Sequence, residues 1–319
     1  MNEDKQASLA IEAEGLVKRY NEEVLALDGI DLAIEANTIY SMLGPNGAGK
    51  TTTLSILTTL LEPTAGSARV CGLDVVKQAN EVRNCIGVTF QETVLDVALT
   101  GRQALNFHGK LYNQSKSERQ AKIEELLSLV ELEDAADRKI RTYSGGMKRR
   151  LELIRGLMTE PEVLFLDEPT LGLDPQSRSR LGEYIMDLKQ NQGLTLLLTT
   201  HYMDEAQLLS DKVGIIDHGK IVTEGTPNEL IEQMGADVIH IEGQGDSEMF
   251  VETLNALPFT QTISAANKLI QVGVDSGNRR LVEVVTVAGE QGFRIEDISV
   301  AKPSLGDVFL NYTGRQFRD

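Results

Sequence analysis

Eight consecutive residues, Gly44 to Thr51, constrain the fold of this chain more than any other segment. They read Gly-Pro-Asn-Gly-Ala-Gly-Lys-Thr and fit the pattern G-x-x-x-x-G-K-[ST] of phosphate-binding loops. The apolar segment Thr38 to Leu43 comes before them and predicts a buried strand. Thr52 to Leu61 comes after them, has leucines at helical spacing, and predicts a helix. Strand, loop and helix in this order are the structural context in which the pattern binds phosphate.

The loop therefore predicts a site for a nucleoside triphosphate such as ATP. Glycines allow the backbone N–H groups to point at an anion, and the following helix adds the positive end of its dipole. The lysine brings a positive charge to the β- and γ-phosphates, and the threonine hydroxyl can ligate Mg²⁺. The predicted nucleotide-binding residues of this segment are Gly44, Pro45, Asn46, Gly47, Ala48, Gly49, Lys50, Thr51 and Thr52.

Two adjacent acids follow a second apolar strand. Val163 to Leu166 is apolar, and Asp167 and Glu168 come directly after it. Carboxylates at the end of a buried strand are costly unless something compensates their charge. Mg²⁺ held by Asp167 would compensate, and Glu168 would then polarise the water that attacks the γ-phosphate.

A third segment predicts an anion site at a helix start. Ser144 is a good N-cap, and Gly145 and Gly146 expose backbone N–H groups at the start of a helical run over residues 148–159. One triphosphate site within one chain does not need two such loops. Two chains that face each other do, if the second site of each closes on the nucleotide of the other.

The composition and charge of the chain limit the classes of protein to which it can belong. The chain has 319 residues, a formal net charge of −17 and an isoelectric point of about 4.8. This acidity argues against a nucleic-acid-binding surface, which needs a positive footprint. The two cysteines, Cys71 and Cys85, have no metal-ligand spacing and predict small apolar residues in a reducing compartment.

Three parts of the chain differ in their patterns. Residues 8–36 alternate apolar and polar positions and predict antiparallel strands. Residues 93–160 are mostly helical in pattern, with Ser117 to Val130 as the clearest helix. Strands then alternate with helices up to Gly225, which predicts a parallel sheet with its ligands at the carboxyl ends of the strands.

The pattern changes after Pro227 and predicts a small ferredoxin-like unit with the order β-α-β-β-α-β. It contains no catalytic constellation. We interpret it as a dimer-stabilising or docking appendage, with a ligand sensor as the alternative. Its predicted elements are strand 237–242, helix 247–257, strand 259–263, strand 268–274, helix 281–291 and strand 293–300.

Taken in order, these motifs resemble the ATP-binding subunit of an ABC transporter. Leu173 and Asp174 match the D-loop of that family, Gln91 matches its Q-loop glutamine, and His201 matches the switch histidine that contacts the γ-phosphate. Tyr20 is placed like the aromatic residue that stacks on adenine. The resemblance assigns catalytic roles to Lys50, Gln91, Glu168 and His201, metal ligation to Thr51, Gln91 and Asp167, and cross-dimer nucleotide contacts to Ser144, Gly145, Gly146 and Asp174.

The resemblance covers residues 8–228 and implies an α/β fold of the P-loop NTPase type. That fold has a mixed-sheet core, an antiparallel β subdomain and a helical subdomain. The expected second domain, residues 236–319, is small and α+β. The signature motif departs from the family pattern at Tyr143 and Met147, where Leu and Gln are usual, so the effect of these two residues is open.

The form Tyr-Ser-Gly-Gly-Met resembles the branch that exports drugs and antibiotics. The tail from Pro303 to Leu310, followed by Thr313, Gly314 and Arg315, resembles the same branch. The implied partners are a second copy of the chain, or another nucleotide-binding subunit, and a membrane permease on a separate chain. The permease would dock a helix near Gln91 and residues 93–142.

The N-terminus has no apolar signal core, and no apolar run is long enough to span a membrane. We therefore expect a cytoplasmic protein that is held at the inner face of the membrane by its permease.

One alternative function is that of an ABC ATPase that acts on nucleic acid or ribosomes, but the spacing of Lys50 and Ser144 leaves no room for the coiled coil of DNA-repair members. A regulatory module that binds ATP without hydrolysing it is another, and Glu168 and His201 argue against it.

Overall fold

The computed structural model describes residues 9–21, 24–92, 94–266 and 269–314. Predictions that involve the first residues, Lys268 or Arg315 lie outside these ranges. The strands are β1 (Leu9–Tyr20), β2 (Val24–Glu35), β3 (Ile39–Leu43), β4 (Ala65–Val70), β5 (Leu73–Asp74), β6 (Ile86–Thr89), β7 (Val163–Asp167), β8 (Thr195–Thr200), β9 (Lys212–Asp217), β10 (Lys220–Gly225), β11 (Asp237–Gln244), β12 (Thr260–Ala266), β13 (Leu269–Val274) and β14 (Arg294–Ala301).

The helices alternate with these strands over much of the chain. They are α1 (Lys50–Leu57), α2 (Ala79–Cys85), α3 (Gly101–Leu111), α4 (Lys116–Leu129), α5 (Gly145–Leu157), α6 (Pro175–Gln192), α7 (Met203–Leu209), α8 (Pro227–Glu232), α9 (Ser247–Asn255), α10 (Gly277–Glu290) and α11 (Leu305–Thr313). None of the helices in the described ranges combines the length and the apolar character that a membrane crossing needs.

A six-stranded sheet, in the order β10-β9-β3-β8-β7-β6, forms the centre of the molecule. Its strands are parallel except for β10, which pairs antiparallel with β9. Strands β3, β7 and β8 are buried along their whole length, because residues of α5 and α6 pack on one face of the sheet and residues of α1, β1 and β2 pack on the other. The carboxyl ends of β3, β6, β7 and β8 meet at one edge, which we call the nucleotide edge.

The first sheet, β2-β1-β4-β5, is antiparallel, as the alternation over residues 8–36 predicts. Helices α3 and α4 occupy the segment predicted to be helical. Each of them begins with a capping box, formed by Thr100 with Gln103 and by Ser115 with Glu118. The α/β class and its three subdivisions are confirmed.

The loop helix α1 is shorter than its sequence pattern predicts. It begins at Lys50 and ends at Leu57, whereas leucine spacing predicts residues 52–61. Thr58 Oγ1 donates back to Leu54 O (2.9 Å), and Thr59 takes a left-handed φ of 64°. A hydroxyl that bonds to its own turn and a left-handed residue together end the helix.

The C-terminal strands form an antiparallel sheet in the order β12-β13-β11-β14. Helices α9 and α10 pack on it around the stacked rings of Phe250 and Phe293. The order of strands and helices is the ferredoxin-like one. Helix α11 differs, because Leu305, Val308 and Phe309 share a buried cluster with Leu43 of β3 and with residues of α7 and β9. The last helix thus completes the core beneath the nucleotide edge.

Candidate functional site at the nucleotide edge

The glycine-rich loop connects β3 to α1, and its tip at Asn46 and Gly47 is exposed. Two of its glycines are required by close backbone contacts. A Cβ at Gly44 would lie 2.3 Å from Ile216 O, and one at Gly49, where φ is +113°, would lie 2.9 Å from Ala26 O. Only glycine fits at these positions, so the loop keeps the tight curve that turns N–H groups toward an anion.

Lys50 is the first residue of α1 and is 5% exposed. Its Nζ donates to Gly44 O at 2.6 Å and to Pro45 O at 3.3 Å, and it lies 3.0 Å from Glu168 Oε1. The ammonium group therefore sits at the mouth of the loop between the loop carbonyls and the second acid. This is a suitable position for meeting terminal phosphates.

Glu168 is buried and directly follows β7. Its backbone takes a left-handed φ of 47°, a conformation that costs a non-glycine residue about 1–3 kcal/mol. Two hydrogen bonds hold the turn, because the Glu168 N–H donates to Thr199 O (3.2 Å) and to Thr199 Oγ1 (3.0 Å). Neighbouring strand β8 thereby fixes the direction of this carboxylate.

Asp167 is the last residue of β7 and is 2% exposed. Its Oδ1 accepts from Thr199 Oγ1 at 2.6 Å and from Thr51 Oγ1 at 3.3 Å. The predicted pair of metal ligands, Thr51 and Asp167, therefore lies together. An aspartate and a hydroxyl are the hard oxygen donors that Mg²⁺ prefers when phosphates supply further ligands.

His201 follows β8 directly, and its side chain reaches Glu168. Its Nδ1 donates to Glu168 Oε2 at 2.7 Å, so Glu168 is held by Lys50 on one oxygen and by His201 on the other. The three predicted catalytic residues thus form one connected chain. Gln91, the fourth, is exposed just after β6 at the same edge.

Arg149 of α5 is a residue of this site that the sequence patterns did not indicate. It is 7% exposed, and its guanidinium donates to four backbone carbonyls, those of Phe90 (2.6 Å), Asp167 (2.8 Å), Glu168 (3.0 Å) and Pro169 (2.6 Å). Burial lowers its pKa. The one available signal was a basic residue among the apolar positions of a helix. Basic side chains on helices usually extend into solvent, so this signal alone does not indicate a buried arginine. Thr199, also missed, could have been found as a hydroxyl in a leucine-rich strand just before His201.

The predicted second anion site lies at the start of α5. Ser144 is the N-cap and accepts from Met147 N at 3.2 Å. Gly145 and Gly146 face Leu173 and Ser177, at the start of α6. In the described ranges, no hydrogen bond or ion pair joins Ser144, Gly145 or Gly146 to Lys50 or Glu168. The structure does not bring the two predicted phosphate sites together within one chain.

Tyr143 and Met147, the departures in this motif, have structural partners. Tyr143 is 5% exposed, and its hydroxyl donates to Ala135 O at 2.7 Å. Met147 packs against the buried cluster of the helical region. Neither side chain is needed to present the serine hydroxyl and the glycine amides, so the helix start keeps its form.

Asp174 and Tyr20 occupy exposed positions. Asp174 caps α6 by accepting from Ser177 N (3.0 Å) and Ser177 Oγ (2.7 Å), and these bonds lower the pKa of its carboxyl. Tyr20 ends β1 with 40% of its surface exposed, and the ammonium of Lys18 lies 5.5 Å from its ring centroid. Both remain candidates for contacts with a nucleotide.

The sequence comparisons agree with this geometry. The family model described as "ABC transporter" matches residues 27–171. The daunorubicin resistance ATP-binding protein DrrA3 of Streptomyces coeruleorubidus is 41% identical, with 97% of each chain covered. The linearmycin resistance ATP-binding protein LnrL of Bacillus subtilis is 34% identical over 97% of this chain and 100% of its own.

Solved structures of ATP-binding cassettes are also similar to this chain. The cassette MJ0796, a dimer bound to ADP and Pi, has a TM-score of 0.62 and 26% identity, and covers 68% of this chain and 98% of its own. The site and fold define an ATPase of the ATP-binding cassette type. The chain belongs to the ABC transporter family, as an ATP-binding and ATP-hydrolysing subunit.

Proposed function

We propose that this chain energises export of a small molecule or lipid-like substrate through a separate membrane permease. Relatives that match over nearly the whole chain are named for drug resistance, and another, 38% identical, is a Nod factor export ATP-binding protein from Burkholderia lata. The chain would be held at the inner face of the cell membrane by that permease.

The observation that carries the proposal is the double attachment of Glu168. Lys50 and His201 each hold one of its carboxylate oxygens, at 3.0 and 2.7 Å. With ATP in the loop, Lys50 meets the β- and γ-phosphates, and Glu168 orients and polarises the attacking water. His201, which holds the other oxygen of Glu168, would contact the γ-phosphate and so sense the presence of that group.

The same edge fits Mg²⁺ that arrives with the nucleotide. Thr51 and Asp167 would hold it, and Gln91 would approach it from the end of β6. When bound, the ion neutralises phosphate charge. No group of three or more His, Cys, Asp or Glu in the part of the chain that the structure describes could hold a metal by itself. Phosphate oxygens of the nucleotide and waters would supply the remaining ligands.

Two copies would complete each site. Ser144, Gly145, Gly146 and Asp174 would contact the nucleotide held by the loop of the other copy. ATP favours the closed dimer because its γ-phosphate contacts both chains, and hydrolysis removes that differential contact. MJ0796, the solved relative with 26% identity, is a dimer.

A groove beside Gln91 offers the permease a docking site. A cavity of about 300 Å³ between the central sheet and the helical region is lined by Phe90, His108 and Arg155, among others. Leu60 and Val94, which are both 60% exposed, add apolar surface to its lining. Burial and the nearby charge of Arg155 lower the pKa of His108 to about 4, so the groove holds a neutral imidazole at pH 7. An apolar helix of the permease fits this surface.

The C-terminal unit, residues 236–319, would be an accessory domain that supports dimer or permease contacts. Its last helix also belongs to the ATPase core. Residues 8–228 would carry all of the chemistry.

The test of this function is Glu168→Gln. Hydrolysis should fall about 10²–10⁴-fold, which is typical for loss of a positioned acid–base group, while ATP binding remains. The variant should accumulate as an ATP-bound dimer in size-exclusion chromatography. Glu162→Gln is a matched control, because Glu162 is exposed just before the same strand. A wild-type rate of phosphate release from Glu168→Gln would exclude the proposed role.

A further inference from the structure

A cavity of about 600 Å³ lies between helices α3 and α4, in the helical region. This volume is within the range of small-molecule sites. Four basic residues line the cavity, against one acidic residue, Glu124. The basic residues are Arg102 and Lys110 on α3 and Lys116 and Arg119 on α4. The cavity therefore reverses locally the charge of a chain that has 48 acidic residues against 31 basic ones.

Only one of the four cations has acidic partners among the residues that the structure describes. Arg102 forms ion pairs with Glu124 and with Asp137, so its charge is compensated. Lys110 and Lys116 are exposed, and neither pairs with an acid within the described ranges. A concave site lined by one sign of charge concentrates ions of the opposite sign.

Arg119 is the buried charged group of this cavity, with 8% of its surface exposed. Gly109 leaves room for its stem, because a Cβ there would lie 2.7 Å from Arg119 Cδ. Its Nε donates to Asn106 Oδ1 at 2.7 Å, and its Nη1 donates to Gln114 O at 2.6 Å. These two acceptors are neutral, so the guanidinium keeps its full positive charge while its position is fixed.

The remaining nitrogen of Arg119 is available to a ligand. Nη2 has no hydrogen-bond partner in the described ranges, and solvent reaches it. Buried polar groups are nearly always bonded, so a nine-tenths buried guanidinium with one open nitrogen at a cavity indicates an acceptor from outside the chain.

We propose that this cavity binds a phosphate monoester or diphosphate group, carried by a soluble compound or by a lipid headgroup. Arg119 Nη2 would donate a charge-assisted hydrogen bond to a phosphate oxygen, and Lys110 and Lys116 would add positive charge. A phosphate monoester carries between one and two negative charges at pH 7, so three uncompensated cations suit it better than they suit a single carboxylate. The proposal does not depend on the proposed transport function.

Isothermal titration of the full-length protein with inorganic pyrophosphate tests the soluble source. Excess ADP in Mg²⁺-free buffer keeps the phosphate loop occupied. The double variant Lys110→Gln, Lys116→Gln changes two exposed positions and should weaken binding about tenfold, the effect of two exposed ion pairs. Its matched control, Lys77→Gln with Lys302→Gln, changes the net charge equally at side chains that are 83% and 80% exposed, and should bind like wild type.

Co-sedimentation with vesicles of phosphatidylcholine and phosphatidic acid tests the lipid source, with pure phosphatidylcholine vesicles as the comparison. Binding of the mixed vesicles that the two lysine substitutions reduce, without binding of pyrophosphate, would support the proposal with a lipid headgroup as the ligand. The same dependence for pyrophosphate, without vesicle binding, would support it with a soluble ligand.

A further variant tests the cavity without removing a cation. Gln120→Glu places a carboxylate on the cavity wall, at an exposed position and with little change in side-chain size. It should weaken the binding of the phosphate probe, whereas Gln207→Glu, at an exposed position on α7, should not. Failure of wild type to bind either probe, or equal losses in these variants and their controls, would overturn the proposal.

Discussion

The nucleotide edge and the start of α5 both present groups suited to a phosphate, yet they differ in how they are held. At the edge, Lys50, Asp167, Glu168 and His201 are linked through side chains of the same chain. At the start of α5, the hydrogen bonds that Ser144 forms within the described ranges stay in its own helix turn. The nucleotide edge is therefore organised within one chain, without a partner. The start of α5 is a surface that would function only in contact with another molecule.

The largest expected effect tests this difference by mixing two defective chains. Lys50→Ala removes the phosphate contact, and Gly145→Asp places a carboxylate at the second site. Each protein alone should lose on the order of 10²-fold or more in hydrolysis rate, because electrostatic contacts to the phosphates are lost. Mixed dimers contain one site with both intact halves, so an equimolar mixture should hydrolyse ATP far faster than either alone.

Gly145 is chosen because a Cβ there meets only Leu173 Cδ2, at 4.0 Å, so the chain keeps its fold. Circular dichroism of each variant checks this point. A mixture no more active than its components would mean that each chain completes its own site.

Arg149 gives the next largest effect, because it ties the two regions together. Arg149→Ala leaves four backbone carbonyls without their donor, and we expect a loss of about 3–5 kcal/mol in the free energy of unfolding. Urea denaturation measures it. Arg141→Ala, at an exposed position just before α5, should change stability by less than about 0.5 kcal/mol. Equal effects of the two substitutions would show that the bonds of Arg149 contribute little.

A substitution at Tyr20 should have an effect of moderate size on nucleotide binding. Tyr20→Ala should weaken ATP binding by about 1 kcal/mol, or about fivefold, through loss of ring stacking, with little effect on stability. Isothermal titration with ATP measures this. Tyr112→Ala is the control, since Tyr112, at the C-terminal end of α3, has a similar exposure of 39%. An unchanged affinity in Tyr20→Ala would place the adenine elsewhere.

The smallest effects concern pH, and they have opposite signs. Hydrogen bonds from Ser177 lower the pKa of Asp174, so its stabilisation is present above the unfolded pKa and is lost as the pH falls through the folded value. Burial raises the pKa of Glu205, so folding becomes more favourable as the pH falls through its folded value toward the unfolded one. Melting temperatures of Asp174→Asn and Glu205→Gln against pH, each compared with wild type, should diverge in opposite directions. Parallel curves would contradict this assignment.

Much of the nucleotide edge could be predicted because its residues follow apolar strands. Gly44, Glu168 and His201 each come within one residue of such a strand's end, and parallel strands bring those ends together. Arg149 could not be found in this way, since its partners are backbone carbonyls of segments 18–59 residues distant. The left-handed backbone conformation of Glu168 could not be predicted from the sequence either, because tertiary hydrogen bonds impose it.

The place of α11 also escaped the sequence patterns, and it has a consequence for the order in which the molecule is made. Leu43, the residue before the phosphate loop, is buried in the same apolar cluster as Phe309. Domains generally fold as units during synthesis, from the N-terminus onward. Here the apolar surface at the end of β3 stays uncovered until α11 has been synthesised. The ATPase core therefore cannot finish folding before α11 has left the ribosome.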